Sequence, residues 1–135
     1  MAGYSGTPLV KKLGIKEGFK LLAVNAPDDY LKLLGALPDR TEFISGSKND
    51  VSMIHPFIRS RKEMEKWLPK ILKQIKQDGM IWVSWPKKSS GTVTDVTEDI
   101  IRETALPLGL VDIKVCAVDE TWSGLKLVIR KENRK

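Results

Sequence analysis

The chain has 135 residues, of which 41% are hydrophobic and 30% charged, and its net charge is +6. That balance fits one globular domain spanning 1–135 and excludes a disordered polypeptide. One cysteine, Cys116, excludes an internal disulfide, and with a single histidine it excludes a Cys/His zinc cluster within one chain.

In chain order, Met1 to Pro8 is rich in Gly, Ser and Pro and reads as an extended arm. Leu9 to Leu13 fit a helical turn ended by Gly14, and Lys16-Glu17-Gly18 fit a turn into the first strand. Phe19 to Ala26 is nearly continuous in apolar residues, as expected of a strand covered on both faces. Pro27-Asp28-Asp29 opens a short helix carrying Leu31, Leu33, Leu34 and Leu37, with the aspartates at its positive end. Thr41 to Ser45 is a short strand candidate, and Gly46 to Asp50 a turn.

Val51 to Ile58 reads as a third strand, with Pro56 placing its last residues outside regular pairing. Ser60 and Glu63 fit a capping box. The helix that follows has an apolar stripe of Met64, Trp67, Leu68, Ile71, Leu72 and Ile75, a kink at Pro69 and an end at Gly79. Met80 to Trp85 is a second continuous apolar strand. Pro86 to Val93 is a loop, and a helix from Thr94 to Leu108 follows with Asp95, Glu98 and Asp99 near its start. Val111 to Val118 alternates, with Val111, Ile113, Val115 and Ala117 on one face and Asp112, Lys114 and Cys116 on the other. Leu125 to Ile129 alternates again, and Asp119 to Gly124 between them allow a hairpin. The basic tail from Lys131 to Lys135 is expected to fray. The order predicts an α/β fold: a mostly parallel, Rossmann-like three-layer sheet ending in an antiparallel β-hairpin. Phe19–Ala26, Val51–Ile58, Met80–Trp85 and Val111–Val118 run parallel, and the last strand runs against them.

Two clusters hold much of the positive charge: Arg59 to Lys76, and the tail. Such a surplus raises electrostatic nucleic-acid binding as one reading, although no accompanying motif supports it, and a solvated helix face is the simpler account. The first residues lack the basic-then-apolar pattern of a signal peptide, and no apolar run reaches the ~20 residues needed to span a bilayer. The expected location is the cytoplasm, with no membrane partner.

Several segments carry a resemblance. Leu13-Gly14-Ile15-Lys16-Glu17-Gly18, Asn49-Asp50-Val51 and Gln77-Asp78-Gly79-Met80-Ile81-Trp82-Val83 look like their counterparts in class I S-adenosylmethionine-dependent methyltransferases. Gly3-Tyr4-Ser5-Gly6-Thr7-Pro8-Leu9, Trp82-Val83-Ser84-Trp85-Pro86-Lys87-Lys88 and Asp119-Glu120-Thr121-Trp122-Ser123-Gly124 are similar to a family of short bacterial proteins known only as a domain of unknown function. The methyltransferase resemblance implies a glycine-rich turn after the first strand, where the cofactor approaches the backbone. Here that turn is Val24-Asn25-Ala26-Pro27-Asp28-Asp29-Tyr30, without a glycine. No cofactor is therefore predicted, and S-adenosylmethionine is disfavoured. Glu42, the acid positioned for a ribose, falls inside its strand rather than at the end.

In an open parallel sheet, ligands sit beyond the carboxyl ends of the strands. That rule gathers Asn25 to Tyr30, Arg59 and Ser60, Trp85 to Gly91, and Asp119 to Ser123 at one edge, with Asn25, Lys87, Lys88, Ser89, Asp119 and Trp122 as candidate ligand-binding residues. Lys87-Lys88-Ser89-Ser90-Gly91, ahead of a helix start at Thr94, suggests an anion site, against the simpler reading of a solvated loop. Asp119 and Glu120 offer an acid and a base, although adjacent carboxylates in a hairpin more often solvate the turn, or pair with Lys87 or Lys88. Trp85 and Trp122 form a stacking platform or, as large aromatics more often do, part of the core. His55, lacking a carboxylate or nucleophile partner in the sequence, reads as a satisfied structural residue, and Cys116 as a packing residue. Three functions follow. The first is a non-catalytic domain on a degenerate methyltransferase-like scaffold, binding a small anionic ligand or an acidic protein surface at this rim. The second is a methyltransferase with an atypical cofactor loop, and the third a nucleic-acid binder.

Overall fold

The computed structural model describes residues 8–44 and 50–135. Its elements in chain order are α1 (Leu9–Leu13), β1 (Lys20–Val24), α2 (Tyr30–Leu34), β2 (Glu42–Phe43), β3 (Val51–Pro56), α3 (Arg61–Gln74), β4 (Ile75–Pro86), α4 (Glu98–Ala105), β5 (Leu110–Ala117) and β6 (Trp122–Ile129). The arm of residues 1–7 and the turn cluster 45–49 lie outside the described residues.

The strands form one six-stranded sheet in the order β2-β1-β3-β4-β6-β5. β2, β1, β3 and β4 are parallel, whereas β6 runs antiparallel to both β4 and β5. The strand directions match the sequence expectation. The final strand does more than close a hairpin, however: it inserts between β4 and β5 and leaves β5 at the edge.

Three layers follow from which side chains are apolar. Leu9, Val10 and Leu13 of α1 and Tyr30 and Leu34 of α2 bury one face of the sheet against Leu21, Met53, Phe57 and Trp82. Met64, Leu68 and Ile71 of α3 and Ile101 and Ala105 of α4 bury the other face against Ile54, Ile81, Leu125 and Leu127. Each such aliphatic side chain contributes roughly 1.5–3 kcal/mol when fully buried. β3 is central and buried at every residue, its two polar members Ser52 and His55 included. Pro56 ends β3 while paired with Val24, and Phe57 and Ile58 continue the contact through an isolated bridge and a backbone hydrogen bond, both to Ser84.

Several local expectations are corrected. α3 ends at Gln74, not at Gly79, because Ile75 turns extended (φ −76°, ψ 143°) and pairs with Val51. Sheet pairing thus overrides the helical stripe. Gly79 serves close approach instead: a Cβ there stands 3.0 Å from the Ser52 carbonyl oxygen and 2.8 Å from Ile75 Cγ1. The last helix is shorter than expected and is capped by Thr97, whose Oγ1 accepts from the Ile100 N–H at 3.2 Å. Thr94 is drawn elsewhere, donating to the Arg59 carbonyl at 2.6 Å. The short helix after Pro27 begins only at Tyr30 and leaves Leu31 64% exposed.

The alternation of β5 is broken by a register shift between Asp112 and Lys114. Asp112 faces α4, where its carboxylate accepts from Arg102 Nε at 2.9 Å, while Lys114 and Cys116 face the α1 side. Ile113 and Val115 stand 53% and 46% exposed on this edge strand rather than sharing a buried face. The basic tail forms a 3-10 turn over Lys131–Asn133, and Arg134 Nε donates to the Ile129 carbonyl.

Candidate functional site

Backbone hydrogen bonds stitch the strand ends into one rim. Phe57 N–H donates to the Val24 carbonyl at 2.9 Å, Ile58 N–H to Ser84 at 2.8 Å, and Lys87 N–H to Thr121 at 2.8 Å. The end of β1, the exit of β3, the exit of β4 and the start of β6 therefore lie side by side, as the topology argument requires.

Beneath this rim runs a buried polar and aromatic chain. The Tyr30 hydroxyl lies 2.9 Å from His55 Nδ1, and His55 Nε2 lies 2.7 Å from Ser84 Oγ. His55 and Ser84 are fully buried and Tyr30 nearly so. Burial lowers the imidazole to a pKa of about 3 and raises the phenol well above its ordinary value. Tyr30 meets Phe57 edge-on at 5.5 Å, Phe57 stacks on His55 at 4.3 Å, and Phe57 meets Trp122 at 5.0 Å. The Arg59 guanidinium closes the series, 5.1 Å above the Trp122 ring.

The six sequence candidates fall unequally around this rim. Asn25 is exposed at the end of β1 and takes a left-handed backbone, φ 56°, which asparagine tolerates better than most residues. Lys87 is half-buried and Lys88 and Ser89 are exposed. Their 3-10 turn, Lys88–Ser90, is closed by Ser90 Oγ donating to the Lys87 carbonyl at 2.6 Å. This turn does not lead into a helix start at Thr94, so the expected helix-dipole contribution is absent. The Asp119 carboxylate is engaged within its own turn, accepting from the Thr121 and Trp122 N–H groups at 2.8 and 2.7 Å. Among the described residues neither Asp119 nor Glu120 forms an ion pair with Lys87 or Lys88. Trp122 is buried and belongs to the core, with Arg59 on its ring.

Tyr30 and Arg59 lie on this edge as the topology argument expects, but their contacts with His55 and Trp122 join residues distant in sequence and have no signal in residue order. Glu42 is exposed inside β2, and its strand is only two residues long. Cys116 is half-buried, and burial raises its thiol against the opposing pull of Lys12, Lys114 and Lys87. Cavities of about 400 and 410 Å³ lie at the opposite edge of the sheet, the first beside Leu72, Ile75 and Ile129, the second beside Lys16, Ser52 and Gly79. Among the described residues no group of three or more His, Cys, Asp or Glu side chains is placed to hold a metal ion, and no helix is long and apolar enough to cross a membrane.

This sheet order, with one antiparallel strand slotted between the last two parallel ones, defines a Rossmann-like, methyltransferase-like α/β protein. A S-adenosylmethionine-dependent methyltransferase from Aquifex aeolicus is similar over 90% of this chain and 88% of its own, with a TM-score of 0.62 at 17% identity. A TehB-like S-adenosylmethionine-dependent methyltransferase from Corynebacterium glutamicum is similar over 96% of this chain and 91% of its own, with a TM-score of 0.58 at 14% identity. The chain belongs to the family described as Protein of unknown function (DUF3052), which matches residues 50–131. No curated protein matches the sequence.

Proposed function

We propose that the chain is a non-catalytic binding domain on a degenerate methyltransferase-like scaffold, taking a small anionic ligand or an acidic protein surface at the strand-end rim. The observation that supports this most is the Tyr30 side chain. It is packed and hydrogen-bonded over the ends of β1 and β3, directly after a turn that carries the side chains of Asn25, Ala26 and Pro27. These groups do not fit a cofactor that needs bare backbone at that turn. Arg59, Lys87 and Lys88 supply positive charge at the same edge, so an anion is the matching ligand chemistry.

One observation favours a second reading, a methyltransferase with an atypical loop: Asn25 has a left-handed backbone, φ 56°, a region that glycine enters at no steric cost. Titration calorimetry with S-adenosylmethionine separates the two. The first reading expects no measurable heat, and a dissociation constant in the low micromolar range, about −7 to −8 kcal/mol, favours the second. The rim itself is tested by amide NMR with a glutamate-rich peptide. Shifts are expected at Asn25, Lys87, Ser89 and Thr121, and K87A/K88A removes them with little change in melting temperature. Shifts confined to the lysines of α3 would move the binding surface to that helix and toward the nucleic-acid reading, for which the support is Lys66 and Lys70 lying 5.5 and 5.4 Å from the Trp67 ring.

A further inference from the structure

A second cationic cluster lies away from the rim, on the sheet face that carries α1. Lys114 of β5 and Lys126 of β6 are direct cross-strand partners, and Lys126 is flanked on its other side by Trp82 of β4. α1 is held over the same place because Trp82 Nε1 donates to the Leu13 carbonyl at 2.9 Å, and Lys16, soon after α1, is near enough for its charge to act on Lys126. Lys114 is exposed and Lys126 half-buried. Burial lowers the Lys126 ammonium below its ordinary range, and the charges of Lys114 and Lys16 lower it further.

Like charges directly opposite one another in an antiparallel pair are destabilising. Among the described residues no ion pair relieves Lys16, Lys114 or Lys126. The acid nearest in sequence on β5, Asp112, is turned to the opposite face by the register shift and engaged by Arg102. Glu17, next to Lys16, is engaged by Arg40. The fold therefore maintains an uncompensated cluster at a place where one more acidic side chain would relieve it.

We propose that Lys16, Lys114 and Lys126 form a binding site for a terminal, dianionic phosphoryl group, separate from the strand-end rim. Its oxygens accept charge-assisted hydrogen bonds from the ammonium groups and cancel the repulsion between them. The half-burial of Lys126 weakens competition from water. Val111 and Val128, paired next to the lysines and half-buried, offer an apolar shoulder for whatever carries the phosphate.

The test is titration with inorganic phosphate and with a nucleoside 5′-monophosphate at matched ionic strength, read by amide NMR and by melting temperature. Saturable shifts are expected at Lys114, Cys116 and Lys126. K114E should raise the melting temperature without ligand, because an ion pair replaces a repulsion, and should weaken phosphate binding by at least about tenfold. K126M should weaken binding similarly without the new ion pair. Absence of saturable shifts at these amides, or unchanged affinity in both variants, overturns the site. So does preferred binding of an oligonucleotide that lacks a terminal phosphate. Phosphate shifts confined to Asn25, Lys87 and Ser89, and lost in K87A/K88A, overturn this site while supporting the rim.

Discussion

Tyr30 and His55 are 25 residues apart in sequence, yet the phenol oxygen lies 2.9 Å from the imidazole Nδ1 in a buried setting. The opposite ring nitrogen is met by Ser84 at 2.7 Å, so both nitrogens have a hydroxyl partner, and burial keeps the ring neutral, with one nitrogen donating and the other accepting. The pair also ties the first helix after β1 to the central strand, beneath the proposed rim.

A pH dependence follows. The folded imidazole has a pKa of about 3, below the ordinary value of roughly 6.5 in the unfolded chain. The unfolded state therefore binds a proton that the native state excludes. The stabilisation is fully present above about pH 6.5 and is lost as pH falls toward the folded value, by about 2 kcal/mol between neutrality and pH 5. Urea denaturation over that interval checks it. His55→Gln is expected to remove this slope whatever its own stability.

Tyr30→Phe keeps the ring contacts with Phe57 but leaves His55 Nδ1 without its partner. The expected cost is about 1–3 kcal/mol, with the fold and the cofactor result unchanged. Equilibrium unfolding at neutral pH measures it, and an unaltered stability would show that water replaces the hydroxyl.

Asn25 separates backbone from side-chain roles at the rim. At φ 56°, Asn25→Ala should cost about 1 kcal/mol, whereas Asn25→Gly should be nearly neutral. If the asparagine amide also binds the rim ligand, both changes weaken binding while only alanine lowers the melting temperature.

Asp119 holds the turn between β5 and β6 with two backbone N–H groups. Asp119→Ala should destabilise by about 1–3 kcal/mol. Asp119→Asn, which keeps an acceptor oxygen, should cost less. A stable alanine variant that loses only ligand binding would instead assign the carboxylate to the site.

Thr97 and Thr94 give opposite readouts on the loop before α4. Thr97→Ala removes an N-cap and should cost about 1 kcal/mol. Thr94→Ala should instead loosen the tie to the Arg59 carbonyl, seen as faster exchange of the Val96 amide, whose hydrogen bond to Thr94 Oγ1 is lost.

Local chemistry made much of the fold legible. The nearly continuous apolar runs of β1 and β4, the Ser60 cap of α3 and the Gly14 stop of α1, at φ 77°, depend on near neighbours and read correctly from residue order. The gathering of strand ends into a rim was legible for the same reason, because parallel crossovers leave one arrangement. Tertiary structure decided what depends on distant partners. Val51 pulled Ile75 out of a helix that its periodicity favoured, and Leu127 and Lys126 set the register that turns Asp112 and Lys114 to opposite faces. The partners of His55, the engagement of Asp119 by its own turn, and the facing lysines 114 and 126 were equally invisible in the sequence. Burial and cross-strand register are properties of neighbours in space, and no spacing along the chain encodes them.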